Sequence, residues 1–207
     1  MVITKIEKQR KNSKRVSLFI DGEFACGIYE DTLVKYALKA GDEITKKTID
    51  EIINFDEYLY AKKASFDLLS YRLRSTREIK DKLRAKKISV KTINRTIEHL
   101  QEMGLMNDEE FARQFIQSYI STKPKGKNFI RQKLFQKGIS KQIADKMLDG
   151  IYTNVDEKQI ALDVLEKYLK RVRAKDISEK KRKIFSYLAS KGFNFDIINE
   201  IIYEKLK

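Results

Sequence analysis

The sequence predicts a mainly α protein: three tandem three-helix repeats in an elongated array, preceded by a small α+β module with a three-stranded antiparallel β-sheet. Three observations carry this. The spacing Ala-x3-aliphatic-x2-Tyr occurs at Ala64, Leu68 and Tyr71, again at Ala112, Ile116 and Tyr119, and again at Ala161, Leu165 and Tyr168. After each copy comes a second shared pattern, an apolar residue, Leu four on, Lys three further, and an apolar residue after a break. Its copies are Ile79, Leu83, Lys86, Ile88, then Ile130, Leu134, Lys137, Ile139, then Ile184, Leu188, Lys191, Phe193. Two patterns recurring in one order about every 50 residues fall within the period range of helical repeats. The third observation is that residues 1–29 lack this period and hold short runs rich in Val, Ile and Phe instead.

Taken in order, residues 2–7, 15–20 and 23–29 read as strands. Asp21-Gly22 is a hairpin signal, because a two-residue turn needs positive φ and glycine supplies it. Residues 8–14 would form the more open basic loop. A sheet this small needs a cover, which an amphipathic helix over residues 31–39 would supply, ended by Ala40-Gly41-Asp42. Thr45 caps a further short helix over 45–54, so residues 1–54 form the module. Repeat one then runs over 55–104, with Ser75 and Glu78 at capping-box spacing at the start of its second helix. Repeat two covers 105–153 and opens on Asn107-Asp108-Glu109-Glu110, acids where the positive helix end favours them. Repeat three covers 154–207 and carries Lys180-Lys-Arg-Lys183, part of which must be solvated, since four consecutive cations cannot share one helix face. Gly138 and Gly192 follow the marker lysine where a helix C-terminus wants a left-handed residue. Repeat one has Lys87 there, so its cap is expected to differ. Tyr71, Tyr119 and Tyr168 lie on apolar stripes and are expected in the core with a polar tip.

Composition narrows the function. Of 207 residues 42% are hydrophobic and 36% charged, enough apolar surface for local cores but little for one large core, which suits units packing on their neighbours. The net charge of +14 is uneven. Residues 1–57 carry 10 Lys+Arg against 11 Asp+Glu, whereas residues 58–106 carry 12 against 5. Residues 107–152 carry 9 against 5 and residues 153–207 carry 13 against 9, so the basic excess belongs to the repeats. A field of this sign concentrates polyanions and speeds their encounter.

Catalysis finds little support. Lone Cys26 and lone His99 allow no disulfide framework, zinc constellation or nucleophile–base pair. The carboxylates cluster where helix caps belong rather than as a metal-binding group. No phosphate-binding G-x4-G-K-[ST] motif occurs. The amino terminus lacks the apolar run of a secretory signal and no stretch is long enough to span a bilayer. The expectation is a soluble cytoplasmic, non-enzymatic protein with no cofactor and no metal.

The candidate binding residues are cations. Arg77, Lys80, Arg84 and Lys87 step by 3, 4 and 3, giving one helix face four cations and no carboxylate. Lys123, Lys125 and Lys127 crowd a loop broken by Pro124 and Gly126, with Arg131 just beyond. That loop reads either as a phosphate-contacting tip or as a solvated turn.

The segments LSYRLRSTREIKDKLRAKKI, GLMNDEEFARQFIQSYI and GKNFIRQKLFQKGIS resemble the RecX family of bacterial recombination regulators over residues 55–207. The most specific parts are Arg72-x-Arg74-Ser75-x2-Glu78-Ile79-x3-Leu83 and Asn107-Asp108-x2-Phe111-Ala112, and the β-containing module is similar to that of longer members. Lys87 departs from a frequent glycine. The resemblance implies a modulator of the RecA recombinase that binds RecA and its filament on single-stranded DNA, or on double-stranded DNA, as a monomer without a membrane partner. It implies suppression of strand exchange, ATP hydrolysis and coprotease activity, in homologous recombination, DNA repair and the SOS response. Residue by residue it brings in Arg72, Arg74, Glu78, Asn107 and Asp108, the last two mainly for capping and repeat geometry. The competing class is a general basic nucleic-acid-binding repeat protein with no dedicated protein partner. A third is an adaptor whose apolar repeat faces bind protein alone.

If the repeat-one face contacts phosphates, the double variant Lys80→Glu/Arg84→Glu weakens DNA binding. It also flattens the salt dependence, by about 0.7 log units for each cation withdrawn from a single strand. Titrations across a range of salt check this, and unchanged binding by the folded variant removes the face from the site.

Overall fold

The computed structural model describes residues 1–10 and 12–206. Among them the order is β1 (Ile3–Gln9), β2 (Asn12–Ile20), β3 (Glu23–Tyr29), α1 (Glu30–Lys35), α2 (Lys46–Tyr71), α3 (Thr76–Ala85) and α4 (Val90–Glu102). There follow α5 (Asp108–Thr122), α6 (Lys127–Gln136), α7 (Lys141–Tyr152), α8 (Glu157–Leu169), α9 (Ile177–Ser190) and α10 (Phe195–Lys205). These form two compact units, Met1–Arg72 with Ile79–Leu105, and Leu73–Glu78 with Met106–Lys207.

The first unit opens on an antiparallel sheet in the order β1-β2-β3. The strands reach further than their sequence suggests, with Gln9 paired to Asn12, so the expected loop 8–14 is mostly strand; Lys11 lies outside the described residues. Val16, Leu18 and Ile20 alternate into the core with Ile3 and Ile28, the period of a half-buried strand. Asp21 and Gly22 take the positive φ expected of the turn, 49° and 88°. α1 is shorter than expected, since the chain leaves the helix at Tyr36 and turns through positive φ at Ala37.

The larger correction concerns residues 45–71. The short helix expected over 45–54 is continuous with the first helix of repeat one, so the boundary drawn at 54/55 falls inside α2. Nothing between Asn54 and Glu57 breaks a helix, and Thr45 caps the whole of it. Asp56, 6% exposed, explains why the run is used in this way. One carboxylate oxygen accepts from the Tyr29 N–H (2.6 Å) and the Thr32 hydroxyl (2.7 Å), the other from Arg15 (3.2 Å). Arg15 in turn lies over the Tyr29 ring. The sheet is thereby tied to the middle of α2, whose next turns bury Ala61, Ala64 and Ser65. α3 adds Ile79 and Leu83, and α4 adds Ile93, Ile97 and Leu100, to complete the three-helix repeat.

In the second unit the aligned apolar markers become two separate cores. Ala112, Ile116, Ile130, Leu134 and Ile139 gather with Phe111, Ala144 and Leu148. Ala161, Leu165, Ile184, Leu188 and Phe193 gather with Ile198 and Ile201. The tyrosines diverge. Tyr119 packs on the first of these cores and Tyr168 on the second, but Tyr71 is 85% exposed. α2 ends at Tyr71 and the chain is extended at Arg72, whereas α5 continues three residues beyond Tyr119.

All three second helices close alike, which corrects the expectation for repeat one. Lys87, Gly138 and Gly192 have φ of 62°, 80° and 81°. The following residue donates back to the leucine carbonyl in each: Ile88 to Leu83, Ile139 to Leu134, Phe193 to Leu188. Lys87 is exposed. A Cβ at Gly138 would instead overlap the Arg77 side chain, and one at Gly192 the Phe129 backbone. Close packing, more than φ, is what requires glycine there. Gly104 has φ 69° and open space around it. Gly104→Ala is therefore expected to cost only the left-handed penalty of about 1 kcal/mol. Gly192→Ala carries the overlap as well and destabilises by roughly 3 kcal/mol or more. Urea unfolding of the two variants checks the difference, and equal destabilisation would contradict it.

Candidate nucleic-acid interface

The expected site residues fall into groups according to what neutralises them. α3 starts on a reciprocal capping box, the Ser75 N–H donating to Glu78 (3.3 Å) and the Glu78 N–H to the Ser75 hydroxyl (3.2 Å). Arg77 and Arg84 are exposed along this helix, Lys80 is half-buried, and Lys87 sits at its left-handed end. The face is not free of carboxylate, because Asp81 lies one turn before Arg84 and the two bond at 3.0 Å. Arg72 closes α2 in extended backbone, and Arg74 is half-buried in the connection. Both, with Arg77, interact with other groups of the protein.

In repeat two the lysine-rich loop is docked rather than projecting. The Gly126 N–H donates to the Lys191 carbonyl (2.9 Å) and the Asn128 N–H to the Gly192 carbonyl (3.1 Å). Two of its backbone donors are thus taken up by the end of α9. Lys127 pairs with Asp149, holding that carboxyl below its usual range, and Arg131 pairs with Asp145 at 2.8 Å. Lys123 and Lys125 go elsewhere. They line a cleft with Lys167 and Arg171 from the end of α8 and Lys191 from the end of α9. The structure therefore separates four residues that the sequence placed together, and brings in three that sequence reasoning missed. Lys191 belonged to the repeat pattern, but no sequence signal says which helix ends the loop will meet.

The same docking recurs one repeat earlier within this unit. The Ser75 hydroxyl donates to the Lys137 carbonyl (2.6 Å), and Lys137 pairs with Glu78 at 2.7 Å. The first amides of α3 and α6 are also received by an acid at the start of the next repeat. The Thr76 N–H donates to Asp108 (2.8 Å) and the Lys127 N–H to Glu157 (2.8 Å). Asn107 meanwhile caps α5 through the Glu109 and Glu110 amides.

Family models for the regulatory protein RecX N-terminal domain and for the first, second and third RecX three-helix domains match residues 1–45, 61–100, 107–148 and 156–202. The regulatory protein RecX of Bacillus subtilis is 34% identical over 197 residues, 95% of this chain and 74% of the relative. The chain belongs to the RecX family. A RecX relative from Clostridioides difficile is 29% identical over 99% of this chain and 96% of its own. A crystal structure of regulatory protein RecX superposes with a TM-score of 0.69 at 27% identity, covering 99% of both chains. That of RecX from Lactobacillus salivarius gives 0.66 at 33% identity, covering 72% of this chain and 96% of its own. The three helical domains of the RecX family are the three repeats of the structure, and the relatives are named as regulatory proteins. No described helix is long and apolar enough to cross a membrane.

Within this RecX fold the joint between repeats two and three carries a pH signature. Burial lifts the Glu157 carboxyl above its ordinary value of 4.5, against the pull of the Lys127 N–H and of the Lys127 and Arg131 charges. A carboxyl raised on folding holds more proton in the native than in the unfolded state, so its contribution to stability falls as pH rises from 4.5 through the raised value. Glu157→Gln keeps an oxygen for the Lys127 N–H and removes the titration. The variant should match the parent at pH 4 and gain on it as pH rises towards 7. Thermal melts across that range check this, and parallel profiles would refute it.

Proposed function

We propose that this chain is a non-enzymatic regulator of the RecA recombinase. In this reading it binds RecA and the RecA filament on single-stranded DNA and restrains recombinase, ATPase and coprotease activities. The observation that carries the reading is membership of the RecX family along nearly the whole chain, module and all three repeats included. The physics of the chain is in keeping with it. A filament offers a repeating surface with a polyanion inside, and tandem repeats carrying a basic excess offer a repeating cationic surface in return.

In this reading the DNA-facing cations are those without a carboxylate partner among the described residues, Lys80, Lys87, Lys123 and Lys125. Lys127, Arg131 and Arg84 are engaged largely by Asp149, Asp145 and Asp81. Arg72, Arg74 and Arg77, which interact with other groups of the protein, contact RecA in this reading.

The test is RecA-catalysed ATP hydrolysis on single-stranded DNA, with this protein titrated in at fixed moderate salt. A fall in rate at substoichiometric protein is expected of a filament regulator. No effect, where the protein demonstrably binds the same DNA, would favour the general nucleic-acid binder.

A further inference from the structure

A cluster of unneutralised charge in the second unit lines the cleft between the α5–α6 loop and the ends of α8 and α9. Several lysines and arginines elsewhere in this unit find carboxylates: Lys127 with Asp149, Arg131 with Asp145, Lys146 with Glu109, Lys158 with Glu200 and Glu204. Lys123, Lys125, Lys167, Arg171 and Lys191 converge on the cleft, and none forms an ion pair among the described residues. The carboxylate that also lines it, Asp163, is engaged by the Gln159 amide (2.8 Å). Lys125 and Lys191 both line the cleft, and burial together with the Lys191 charge lowers the Lys125 pKa. Five cations around one cleft with a single carboxylate are an unfavourable arrangement that a bound anion would relieve.

The shape argues for a chain of anions rather than one. A second hollow, lined by Tyr168, Arg182, Lys183, Ser186 and Tyr187, adjoins the cleft across Tyr187, and each has a volume of about 420 Å³. The wall between them is stiff. Tyr187 stacks on Tyr168 with centroids 3.9 Å apart and planes 6° from parallel, and the Lys191 ammonium lies 4.9 Å from its ring centroid. Neither tyrosine hydroxyl makes a hydrogen bond among the described residues, so both remain available as donors along the track.

We propose that this inter-repeat cleft is a binding track for the phosphodiester backbone of a single nucleic-acid strand, gripped by Lys123, Lys125, Lys167, Arg171 and Lys191. The choice of a nucleic-acid strand among polyanions rests on the function proposed above; the cationic track rests on geometry alone. Only Lys123 and Lys125 of these belong to the site expected from sequence.

The test is fluorescence anisotropy of a labelled oligodeoxythymidylate, without RecA, over a range of salt. Lys167→Gln/Arg171→Gln changes two exposed side chains and is checked for folding by its thermal melt. It should weaken binding by roughly 25-fold at about 0.1 M salt and reduce the salt slope by about 1.4, at 0.7 per phosphate neutralised on a single strand. Lys146→Gln/Lys158→Gln removes the same charge from cations already paired and should change the slope little. Equal weakening in the two double variants would mean that affinity follows net charge and would overturn the track, as would no weakening in either. Inorganic pyrophosphate is titrated as a competitor. Displacement of the oligonucleotide from the parent supports the site, whereas pyrophosphate binding that leaves the oligonucleotide undisturbed assigns the cleft to small phosphates and overturns the strand. RecA-dependent ATP hydrolysis with the parent protein separates the two readings. A cleft variant that no longer holds DNA, while the parent leaves RecA unaffected, keeps the track and discards the RecA function.

Discussion

The carbonyl end of one helix feeding the amide end of another is the contact on which the second unit depends. An α-helix leaves unsatisfied N–H groups at its start and C=O groups at its end. At the start of α6, Gly126 and Asn128 find the carbonyls of Lys191 and Gly192 at the end of α9. At the start of α3, Ser75 finds the Lys137 carbonyl at the end of α6. The α6–α9 junction satisfies orphan backbone groups from both helices, while at Ser75 a side-chain hydroxyl takes up the Lys137 carbonyl. The glycines follow from it. Gly126 and Gly192 approach so closely that a Cβ on the former would meet the backbone of the latter.

The acids at the start of the neighbouring repeat complete the junction and explain the capping residues. Asp108 and Glu157 each stand just after a cap residue, Asn107 or Asp156, so one residue closes its own helix and the next reaches across to another. Asp108 does so as a short side chain from the first turn of α5. Glu157 does so half-buried, beside Tyr152, whose hydroxyl burial also pushes to a higher pKa while it donates to the Lys125 carbonyl. The cost of this junction is a raised carboxyl, and its product is a fixed position for the Lys123–Lys127 loop against α8 and α9.

Charge is distributed by these same contacts. The basic excess looks uniform along the repeats when it is counted, but the helices sort it. Cations on the α6 face turned to α7 meet Asp145 and Asp149, while those at helix ends around the cleft form no ion pair among the described residues. An ion pair in partly exposed surroundings contributes little to stability, yet it decides which cations are left to attract an outside polyanion. In the first unit the ordering contact is Asp56, whose buried carboxylate answers the Tyr29 N–H, the Thr32 hydroxyl and Arg15 at once. It makes α2 serve as cover for the sheet and as the first helix of a repeat.

The repeats were legible because burial recurs with the period of the helix. Ala112, Ile116, Ile130 and Leu134 line one core, and Ala161, Leu165, Ile184 and Leu188 the next, as their shared spacing indicates. The hairpin was legible because Asp21-Gly22 states a backbone conformation locally, and so were the caps at Thr45, Ser75 and Asn107. Tertiary structure alone decided the continuity of α2, since helix-permissive residues do not say where one domain yields to another. It decided that Lys87 closes its helix as the glycines do, because only packing separates the three positions. It also decided which lysines are neutralised. Many of the ion pairs join residues far apart in the chain, from Arg131 with Asp145, 14 apart, to Lys137 with Glu78, 59 apart, and no local pattern encodes a partner at that distance.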